Sequence, residues 1–355
     1  MMALPSCIDY LTAIETPRLL KAKELQGGAA VLKNGKPLRY AGGFCVVFPF
    51  QLQQGKKVAV RCWIAHVPDA DKRSYQIAMQ LKNSGLPYFV GFEYIPQGIA
   101  TSLGVFPVVI MDWVDAMPLK EYLKNNLNAP DRIANLAENF LQLAKDLHKA
   151  GFSHGDLQHG NIMVDSDGRL YLVDYDSMFV PGLEGVTDEI KGLAGYQHPG
   201  RNSIAFLSPK SDYFSELIIY TSILALSKYP SLWNELNIED TETLVFSKED
   251  IDFPNRSSII SRLKTDSSLA ICIEAIENAL RESDIENLLP LEEAIIPFFT
   301  RIVDGLQEKW KPRPIPIIEQ ESANIDMLKS KWRKTQTHSI EHVDITSITN
   351  KWRKP

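Results

Sequence analysis

The residues of this chain that could do chemistry are concentrated between positions 152 and 177, where the sequence reads FSHGDLQHGNIMVDSDGRLYLVDYDS. Asp156 and Asn161 stand before a short apolar run typical of a buried strand, and Asp174 stands just after a second one. Between the runs, Asp-Ser-Asp-Gly at 165–168 supplies the backbone angles of a tight turn. Because a hairpin brings its outer ends together, the sequence predicts that Asp156, Asn161 and Asp174 meet at one point.

Oxygen-bearing side chains that converge in this way favour a hard cation such as Mg²⁺, which prefers oxygen ligands and keeps several of its waters. One of the two aspartates is expected to stay free of the metal and to accept the proton of an attacking hydroxyl. A metal that neutralises phosphate charge, together with one free carboxylate, is what phosphoryl transfer requires. The competing interpretation is a pair of ordinary surface turns capped by aspartates.

The same residues resemble a known family. The pattern HxDLxxxN from His154 to Asn161, followed by Asp-Tyr-Asp at 174–176, is similar to the catalytic loop and magnesium loop of the protein kinase superfamily. The segments HGDLQHGN and VDYD resemble those of a bacterial Ser/Thr kinase-like group. The resemblance implies an α+β, two-lobed fold with a small β-rich N-lobe and a larger helical C-lobe. It also implies ATP and Mg²⁺ as cofactors, with Asp156, Asn161 and Asp174 as the catalytic residues. Among these, Asn161 and Asp174 would be the metal ligands and Asp156 the acceptor of the hydroxyl proton.

The resemblance further assigns nucleotide contacts to residues that precede the motif. The apolar strand at 58–63 carries Arg61 at the position of the strand lysine that holds the nucleotide phosphates. Arginine keeps the positive charge and can grip a phosphate, although its planar guanidinium makes the exchange non-conservative. The alternative is an Arg61 that reaches from the strand to solvent. The predicted nucleotide-binding set, which includes a glycine turn and a hinge, is Gly42, Gly43, Arg61, Met111, Asp112 and Val114.

Residues 70–84, ADKRSYQIAMQLKNS, have the apolar spacing of a helix. The side chains expected to face inward are Tyr75, Ile77, Ala78 and Leu81. In the superfamily a Glu of this helix pairs with the strand lysine, but the segment contains no Glu. Gln76 or Gln80 is expected to hydrogen-bond Arg61 instead, and the missing charge argues against ordinary catalysis.

The catalytic and magnesium loops also depart from the family pattern. Gly155 replaces the Arg of H-R-D, so activity is expected not to depend on a phosphorylated activation loop by that route. Gln158 replaces the usual lysine, and His159 is the candidate to assist the γ-phosphate in its place. Asp176 stands where most kinases have Gly and is expected to assist the metal or to cap the next turn.

Other motifs concern support of the site. The segment 130–148 is strongly amphipathic and predicts a helix that Gly151 ends, which delivers the chain to a structural His154. Asp212 leads a long apolar segment, and the resemblance implies that it anchors the catalytic loop. The segment 195–201, GYQHPGR, resembles the end of an activation segment. This arrangement favours the protein-kinase branch over the small-molecule kinases of the aminoglycoside and choline type, which share HGD and a later Asn and Asp.

The tail at 309–355 holds ten Lys and Arg against five Asp and Glu, and it repeats KWRK at 331–334 and 351–354. Trp332 and Trp352 are candidate contacts to a protein partner, to the chain's own acidic domain or to an anionic membrane; the alternative is a solvated tail with chance repetition. The predicted organisation is an N-terminal extension at 1–36, a kinase-like domain at 37–308 and the basic tail at 309–355. Within the domain, the N-lobe covers 37–111, the hinge 112–118 and the C-lobe 119–308.

Composition excludes several other classes. The chain has 355 residues and a formal net charge of −6, which argues against general nucleic-acid binding. The four cysteines show no CxxC pair and no zinc spacing, so a reducing cytosol and a cytoplasmic location are expected. No apolar run approaches the roughly 18 residues of a membrane helix, and no secretion signal is expected at the start.

Three functions therefore remain open at this level. The first is an ATP- and Mg²⁺-dependent Ser/Thr protein kinase of bacterial type, which the intact Asp156, Asn161 and Asp174 favour. The second is a pseudokinase that acts as a nucleotide-binding scaffold or interaction module, which Arg61, Gln158 and the helix without Glu favour. The third is a small-molecule kinase.

Overall fold

Strands dominate the chain up to Asp112 and helices dominate after it, within the residues 4–296 that the computed structural model describes. This distribution confirms the predicted α+β fold with a β-rich small lobe and a helical large lobe. The small lobe contains α1 (Cys7–Ile14), β1 (Ala29–Ala30), β2 (Leu32–Lys33), β3 (Lys36–Pro37), β4 (Tyr40–Ala41), β5 (Cys45–Gln51), β6 (Lys57–Trp63), α2 (Ala70–Ser84), β7 (Phe92–Thr101) and β8 (Gly104–Asp112).

The large lobe begins with β9 (Met117–Pro118), α3 (Leu119–Asn125), α4 (Pro130–Ala150), β10 (Ile162–Val164) and β11 (Leu170–Leu172). It continues with α5 (Tyr213–Lys228), α6 (Leu232–Glu235), α7 (Lys248–Asp252), α8 (Ser258–Lys264), α9 (Ala270–Arg281) and α10 (Leu291–Ala294).

The sheet of the small lobe is antiparallel and has the order β1-β5-β6-β8-β7, with β4 paired to the same strand, β5. Strands β5 and β6 are joined by a turn in which Gly55 has φ +86°, a left-handed angle that glycine adopts without strain. The register places Arg61 opposite Val47 on one side and Val109 on the other. Arg61 therefore lies in the middle of the sheet.

Residues before position 36 contribute to the core of this lobe. The side chains of Tyr10, Ile14 and Leu25 are buried in the same cluster as Val46 and Phe48. The Tyr10 hydroxyl donates a hydrogen bond to the Trp63 carbonyl, 3.1 Å away. The segment predicted as an extension thus covers one face of the sheet, while the domain boundary at residue 36 stays a prediction.

Helix α2 spans the predicted residues, but its orientation differs from the prediction in part. Ile77 and Leu81 are buried as expected, whereas Tyr75 is 63% exposed. The buried stripe instead includes Arg73 and Ser74. The polar Arg73 takes an inward position because it finds hydrogen-bond acceptors there.

The large lobe is organised around α4 and α5. The apolar side chains of α4 recur at three- and four-residue steps and are buried along one face, as predicted. Gly151 ends α4 with φ +69°, and its N–H bonds back to His148 and Leu147. Helix α5 is apolar on all sides and is buried on nearly all of them, which fits its place inside the lobe.

The predicted hairpin between the two candidate loops is present. Strands β10 and β11 pair with Ile162 opposite Leu172 and Val164 opposite Leu170. The Asp165 carboxylate accepts the N–H groups of Asp167 and Arg169, at 2.9 Å each, and so closes the turn. The outer ends of this hairpin carry Asn161 and Asp174.

Residues 297–355 lie outside the described part of the chain. The predicted end of the C-lobe at 308 and the tail with Trp332 and Trp352 therefore stay predictions, as do the N-lobe, hinge and C-lobe boundaries. Among the helices of residues 4–296, none has both the length and the apolar character needed to cross a membrane.

A buried charge cluster joins three helices of the large lobe. His148 near the end of α4 contacts Glu216 of α5 through Nε2, at 2.7 Å, and Glu292 of α10 through Nδ1, at 2.9 Å. Burial lowers the pKa of His148, but the ion pairs with Glu216 and Glu292 outweigh it and raise the pKa from 6.5 to about 9. His148 therefore carries a positive charge at neutral pH and compensates the fully buried Glu216.

We predict that His148→Gln lowers the free energy of unfolding by about 3–5 kcal/mol at neutral pH, because Glu216 is left buried without a cation. Since the folded pKa lies above the unfolded value of 6.5, the contribution is fully present below that pH and is lost as pH rises through about 9. Urea unfolding of both proteins across this range tests the prediction, with Lys149→Gln as a neighbouring control. A difference that does not shrink with rising pH would contradict it.

Candidate active site

The catalytic-loop segment 154–161 is held from below by one buried carboxylate. The backbone N–H groups of His154 and Gly155 donate to the two carboxylate oxygens of Asp212, with 2.9 Å for the Gly155 bond. Asp212 is 1% exposed and directly precedes α5. The structure thus agrees with the expected anchoring role of Asp212.

His154 ties this loop to the strand that leads to Asp174. Its side chain is fully buried, and its Nε2 lies 2.9 Å from the carbonyl oxygen of Val173. Its Nδ1 faces the N–H of Asp156 at 3.4 Å. Both ring nitrogens are engaged by backbone groups, which fits the structural role expected for His154.

Asp156 is held by hydrogen bonds on both carboxylate oxygens. Oδ1 accepts the backbone N–H of Leu193 at 2.9 Å, and Oδ2 accepts Nδ2 of Asn161 at 3.0 Å. Burial raises the pKa of Asp156 above its usual value, and the nearby Asp174 adds to this, while these hydrogen bonds act in the opposite direction. The carboxylate is thus oriented from two sides before any ligand binds.

Asn161 and Asp174 present oxygens that the protein leaves unused. Nδ2 of Asn161 also donates to the Asp156 carbonyl at 2.8 Å, which fixes the amide. Within residues 4–296, neither Oδ1 of Asn161 nor the exposed Asp174 carboxylate accepts a hydrogen bond. Asp174 has φ +68°, an uncommon angle for a residue with a side chain and one that is enriched at functional sites.

The donor set of Asn161 and Asp174 fits Mg²⁺, which binds through one or two protein oxygens plus phosphates and waters. The described residues contain no cluster of three or more His, Cys, Asp or Glu side chains that would form a protein-only metal cage. The loops therefore bring together the three residues that the sequence predicted, and the backbone bond from Val173 to the Asn161 carbonyl, 3.0 Å, joins the two loops.

Arg61 is buried, not extended toward solvent, and it forms an ion pair with Asp176. The predicted hydrogen bonds from Gln76 or Gln80 to Arg61 are wrong. Both amides donate instead to the carbonyl oxygen of Pro181, at 2.6 and 3.1 Å. The two glutamines lie on the part of α2 that contacts the chain after residues 174–176. The Asp176 carboxylate thus binds Arg61 rather than a backbone N–H of the next turn, while its predicted assistance to the metal stays a prediction.

The predicted glycine turn and hinge lie at the ends of the small-lobe strands. The Gly42 N–H donates to the Cys45 carbonyl at 2.9 Å, and a side chain at Gly43 would meet nothing within 4 Å. Met111 pairs with Ala59 and Phe92 inside the sheet.

At the hinge, the Asp112 N–H donates to the Gly91 carbonyl at 2.9 Å. Its carboxylate meets Lys56 at 2.5 Å. Within residues 4–296 the Val114 N–H has no hydrogen-bond partner. The Val114 N–H is therefore one of several backbone donors of the predicted hinge at 112–118 that have no partner among the described residues.

His159 does not supply the charge that Gln158 lacks. Its Nδ1 lies 2.7 Å from the Tyr196 hydroxyl. Burial, with the nearby Lys120, lowers the pKa of His159 to about 4, so the ring is neutral at pH 7. Gln158 accepts the Gly160 N–H at 2.7 Å and shapes the loop. His159 therefore has no charge with which to replace a lysine, and its help for a γ-phosphate stays a prediction.

A buried arginine that the sequence did not single out closes the activation segment. Arg201 is 1% exposed and binds Asp188 at 3.2 Å, the Gln197 side chain and the Gly155 carbonyl. It lies two residues after Pro199, within the segment 195–201 that resembles the end of an activation segment. Its bond to the catalytic-loop carbonyl of Gly155 spans 46 positions of sequence, so no local pattern marks this contact.

Comparisons with known proteins find kinase-like relatives of this chain. A family model described as ABC1 atypical kinase-like domain matches residues 89–180. The probable serine/threonine-protein kinase SCO3848 of Streptomyces coelicolor is 24% identical over 188 residues, which cover 50% of this chain and 28% of that protein. The serine/threonine-protein kinase PknL of Mycobacterium tuberculosis is 22% identical over 186 residues, 51% of this chain and 45% of PknL.

A shorter match links the chain to the probable serine/threonine-protein kinase FPV226 of fowlpox virus, with 41% identity over 56 residues, 16% of this chain and 19% of that protein. The chain thus spans less than half the length of these curated relatives. These matches support the protein kinase-like superfamily that the motif resemblance implied.

We predict that Gly155→Ala destabilises the fold by about 2–4 kcal/mol. Gly155 has φ +79°, and a Cβ there would collide with the carbonyl oxygen of Ser177. Gly43→Ala is the matched control, because the added methyl has open space, and it should change stability by less than about 0.5 kcal/mol. Urea unfolding measures both; equal stability of the two variants would show that the close approach of the loops is not required.

Proposed function

We propose that this chain is an ATP- and Mg²⁺-dependent phosphotransferase, and specifically a Ser/Thr protein kinase of bacterial type. The observation that supports this most strongly is the state of the three loop residues. Asn161 orients Asp156 through its amide nitrogen, while its own oxygen and the Asp174 carboxylate stay uncommitted within residues 4–296. A decayed site has no physical reason to keep this division of roles.

Each residue then has a defined task in the proposed reaction. Bound MgATP would supply the γ-phosphoryl group and the cation that neutralises its charge. Asn161 and Asp174 would hold the metal through their free oxygens. Asp156 would orient the acceptor hydroxyl and accept its proton. The carboxylate can do this without losing its present hydrogen bonds, because an ionised carboxylate has more acceptor sites than the two in use.

The small lobe would hold the nucleotide. Arg61 would contact the phosphates with the guanidinium N–H groups that Asp176 leaves free. The unpaired Val114 N–H would bind the adenine edge, with Met111 behind the ring. Gly42 and Gly43 would cover the phosphates, because the turn that holds them has no side chain to obstruct a close approach.

The substrate side of the proposal rests on the activation segment. The Leu193 N–H donates to the Asp156 carboxylate. The activation segment therefore lies next to the position that the acceptor hydroxyl would take. A protein acceptor is favoured over a small molecule because Asp212 and α5 anchor the loop in the arrangement that resembles protein kinases. We further propose that the tail contacts a protein partner through Trp332 and Trp352.

The four cysteines form no disulfide, which suits a reducing compartment. We therefore propose that the protein acts in the cytoplasm.

We predict that Asp156→Asn reduces phosphoryl transfer by about 10²- to 10⁴-fold, the usual contribution of a general base, with MgATP affinity retained. Asp174→Asn should instead remove the Mg²⁺ dependence of ATP binding. Transfer of ³²P to the chain itself and to generic protein substrates, together with ATP titrations with and without Mg²⁺, measures both effects. Asp167→Asn, in the exposed turn of the same hairpin, is the control.

Outcomes of these titrations separate the competing functions. Tight Mg²⁺-dependent binding by the unmodified chain without transfer to any protein would select the pseudokinase. Transfer to a small amine or alcohol with no transfer to protein would select the small-molecule kinase. No ATP binding would contradict all three.

We predict that Thr187→Ala, and treatment with a phosphatase, leave transfer activity within about twofold of the untreated chain. The carboxylate of Asp188 already binds the buried Arg201, so no added phosphate is needed to order the segment. Arg73 faces the carbonyl of Thr187 at 3.5 Å, not its hydroxyl. Activity measured before and after each change tests this, and complete loss in Thr187→Ala would count against it.

A further inference from the structure

Arg61 of β6 forms its ion pair with a residue of the other lobe, Asp176. Arg61 is 4% exposed and lies in the middle of the small-lobe sheet. Its Nη2 meets Oδ2 of Asp176, which comes from the magnesium loop of the large lobe. A buried guanidinium requires a compensating anion, and this ion pair supplies it across 115 positions of sequence.

Helix α2 contributes a cation at the same place. Arg73 is 3% exposed, and its guanidinium donates to the backbone carbonyl of Asp176 and, at 3.5 Å, to that of Thr187. Asp176 is therefore held twice, at its side chain by the strand arginine and at its main chain by the helix arginine. In protein kinases the corresponding strand lysine pairs with a Glu of this helix, and α2 contains no Glu.

We infer that Asp176 is the positioning residue for Arg61, and that it holds the guanidinium so that the remaining N–H groups face the nucleotide phosphates. This inference rests on the proposed nucleotide-binding function. It makes one short segment responsible for two tasks, because Asp174, the proposed metal ligand, lies two residues before Asp176. The placement of Arg61 and of the metal ligand is then set by the same backbone.

The inference also changes the part that α2 plays. Gln76 and Gln80 bind the Pro181 carbonyl, and Arg73 binds the Asp176 and Thr187 carbonyls. The helix therefore supports the backbone after the magnesium loop and supplies no anion to Arg61. Arg61 keeps its partner through the magnesium loop and not through a helix side chain.

The test compares ligands that differ in phosphate content. Asp176→Asn keeps the shape of the side chain and removes its charge, so the guanidinium loses its fixed orientation. Calorimetric titration of the full chain should show MgATP and MgADP binding about 10- to 100-fold weaker, the usual effect of losing a hydrogen bond to a charged group. Adenosine, which has no phosphate, should bind within about twofold of the unmodified chain. Asp167→Asn is the control and should alter none of these affinities.

A double-mutant cycle with Arg61→Gln identifies the route of the effect. If Asp176 acts through Arg61, adding Asp176→Asn to Arg61→Gln causes no further loss of MgATP affinity. Additive losses would mean that Asp176 acts on the metal or phosphates by itself, and would overturn the inference. Asp176→Glu, which retains the charge, should give an intermediate MgATP affinity and serves if the Asn variant does not fold.

Other outcomes also overturn the inference. Tighter MgATP binding by Asp176→Asn would show that the carboxylate competes with phosphates for Arg61. An equal loss of adenosine affinity would show a general structural role. If the unmodified chain and Asp176→Asn bind adenosine and MgATP with equal affinity, the positioning role of Asp176 fails while the proposed function stands. If the unmodified chain does not bind MgATP, the proposed function fails with it.

Discussion

The backbone of His154 and Gly155 is the point on which the arrangement of the site depends. Its two buried N–H groups have no helix or sheet partner, and Asp212 supplies one carboxylate oxygen to each. Leaving a buried backbone donor without a partner costs about 1–3 kcal/mol, so this pairing determines where the loop can lie. Its carbonyl side is fixed as well, because the Gly155 oxygen accepts from Arg201. Asp156 is the next residue, so the same hydrogen bonds determine where its backbone lies.

Two buried arginines hold other parts of the candidate site in place in the same way. Arg201 binds Asp188 within the large lobe, and Arg61 of the small lobe binds Asp176. Removing one partner of such a pair leaves an uncompensated charge and costs about 3–5 kcal/mol. In both cases the acid belongs to the chain that follows Asp174. Both ion pairs therefore restrain the chain that follows the proposed metal ligand Asp174. The same stretch of chain also borders the proposed acceptor site.

Sequence reasoning found the parts of this structure that local patterns record. The spacing of apolar residues predicted α4 and the extent of α2, and the Asp-Ser-Asp-Gly turn predicted the hairpin that brings Asn161 and Asp174 together. Turn chemistry and periodicity are properties of neighbouring residues. The orientation of Tyr75 was wrong because the helix buries Arg73 instead, and that choice depends on carbonyl groups about a hundred positions away.

The same limit explains the other differences. Arg61 and Asp176 are 115 positions apart, and no local signal links them. His159 is a cation donor by residue type, but its burial beside Tyr196 and Lys120 makes it neutral. The contribution of Tyr10 and Ile14 to the small-lobe core was missed because one short helix gives too few apolar positions to reveal a buried face. Burial and long-range pairing follow from the complete fold.

These differences bear on how a site with Gln158 and a helix without Glu could still transfer phosphate. A lysine beside the catalytic Asp would add positive charge near the acceptor, and neither Gln158 nor the neutral His159 provides it. Under the proposed function, neutralisation of the phosphates then rests on the metal and on Arg61. Since electrostatic stabilisation acts through donors that are held in place before reaction, the ion pair that fixes Arg61 matters more here than in a site with a second cation. Under the proposed function, Asp176 therefore determines the orientation of Arg61, the side-chain cation that would contact the phosphates.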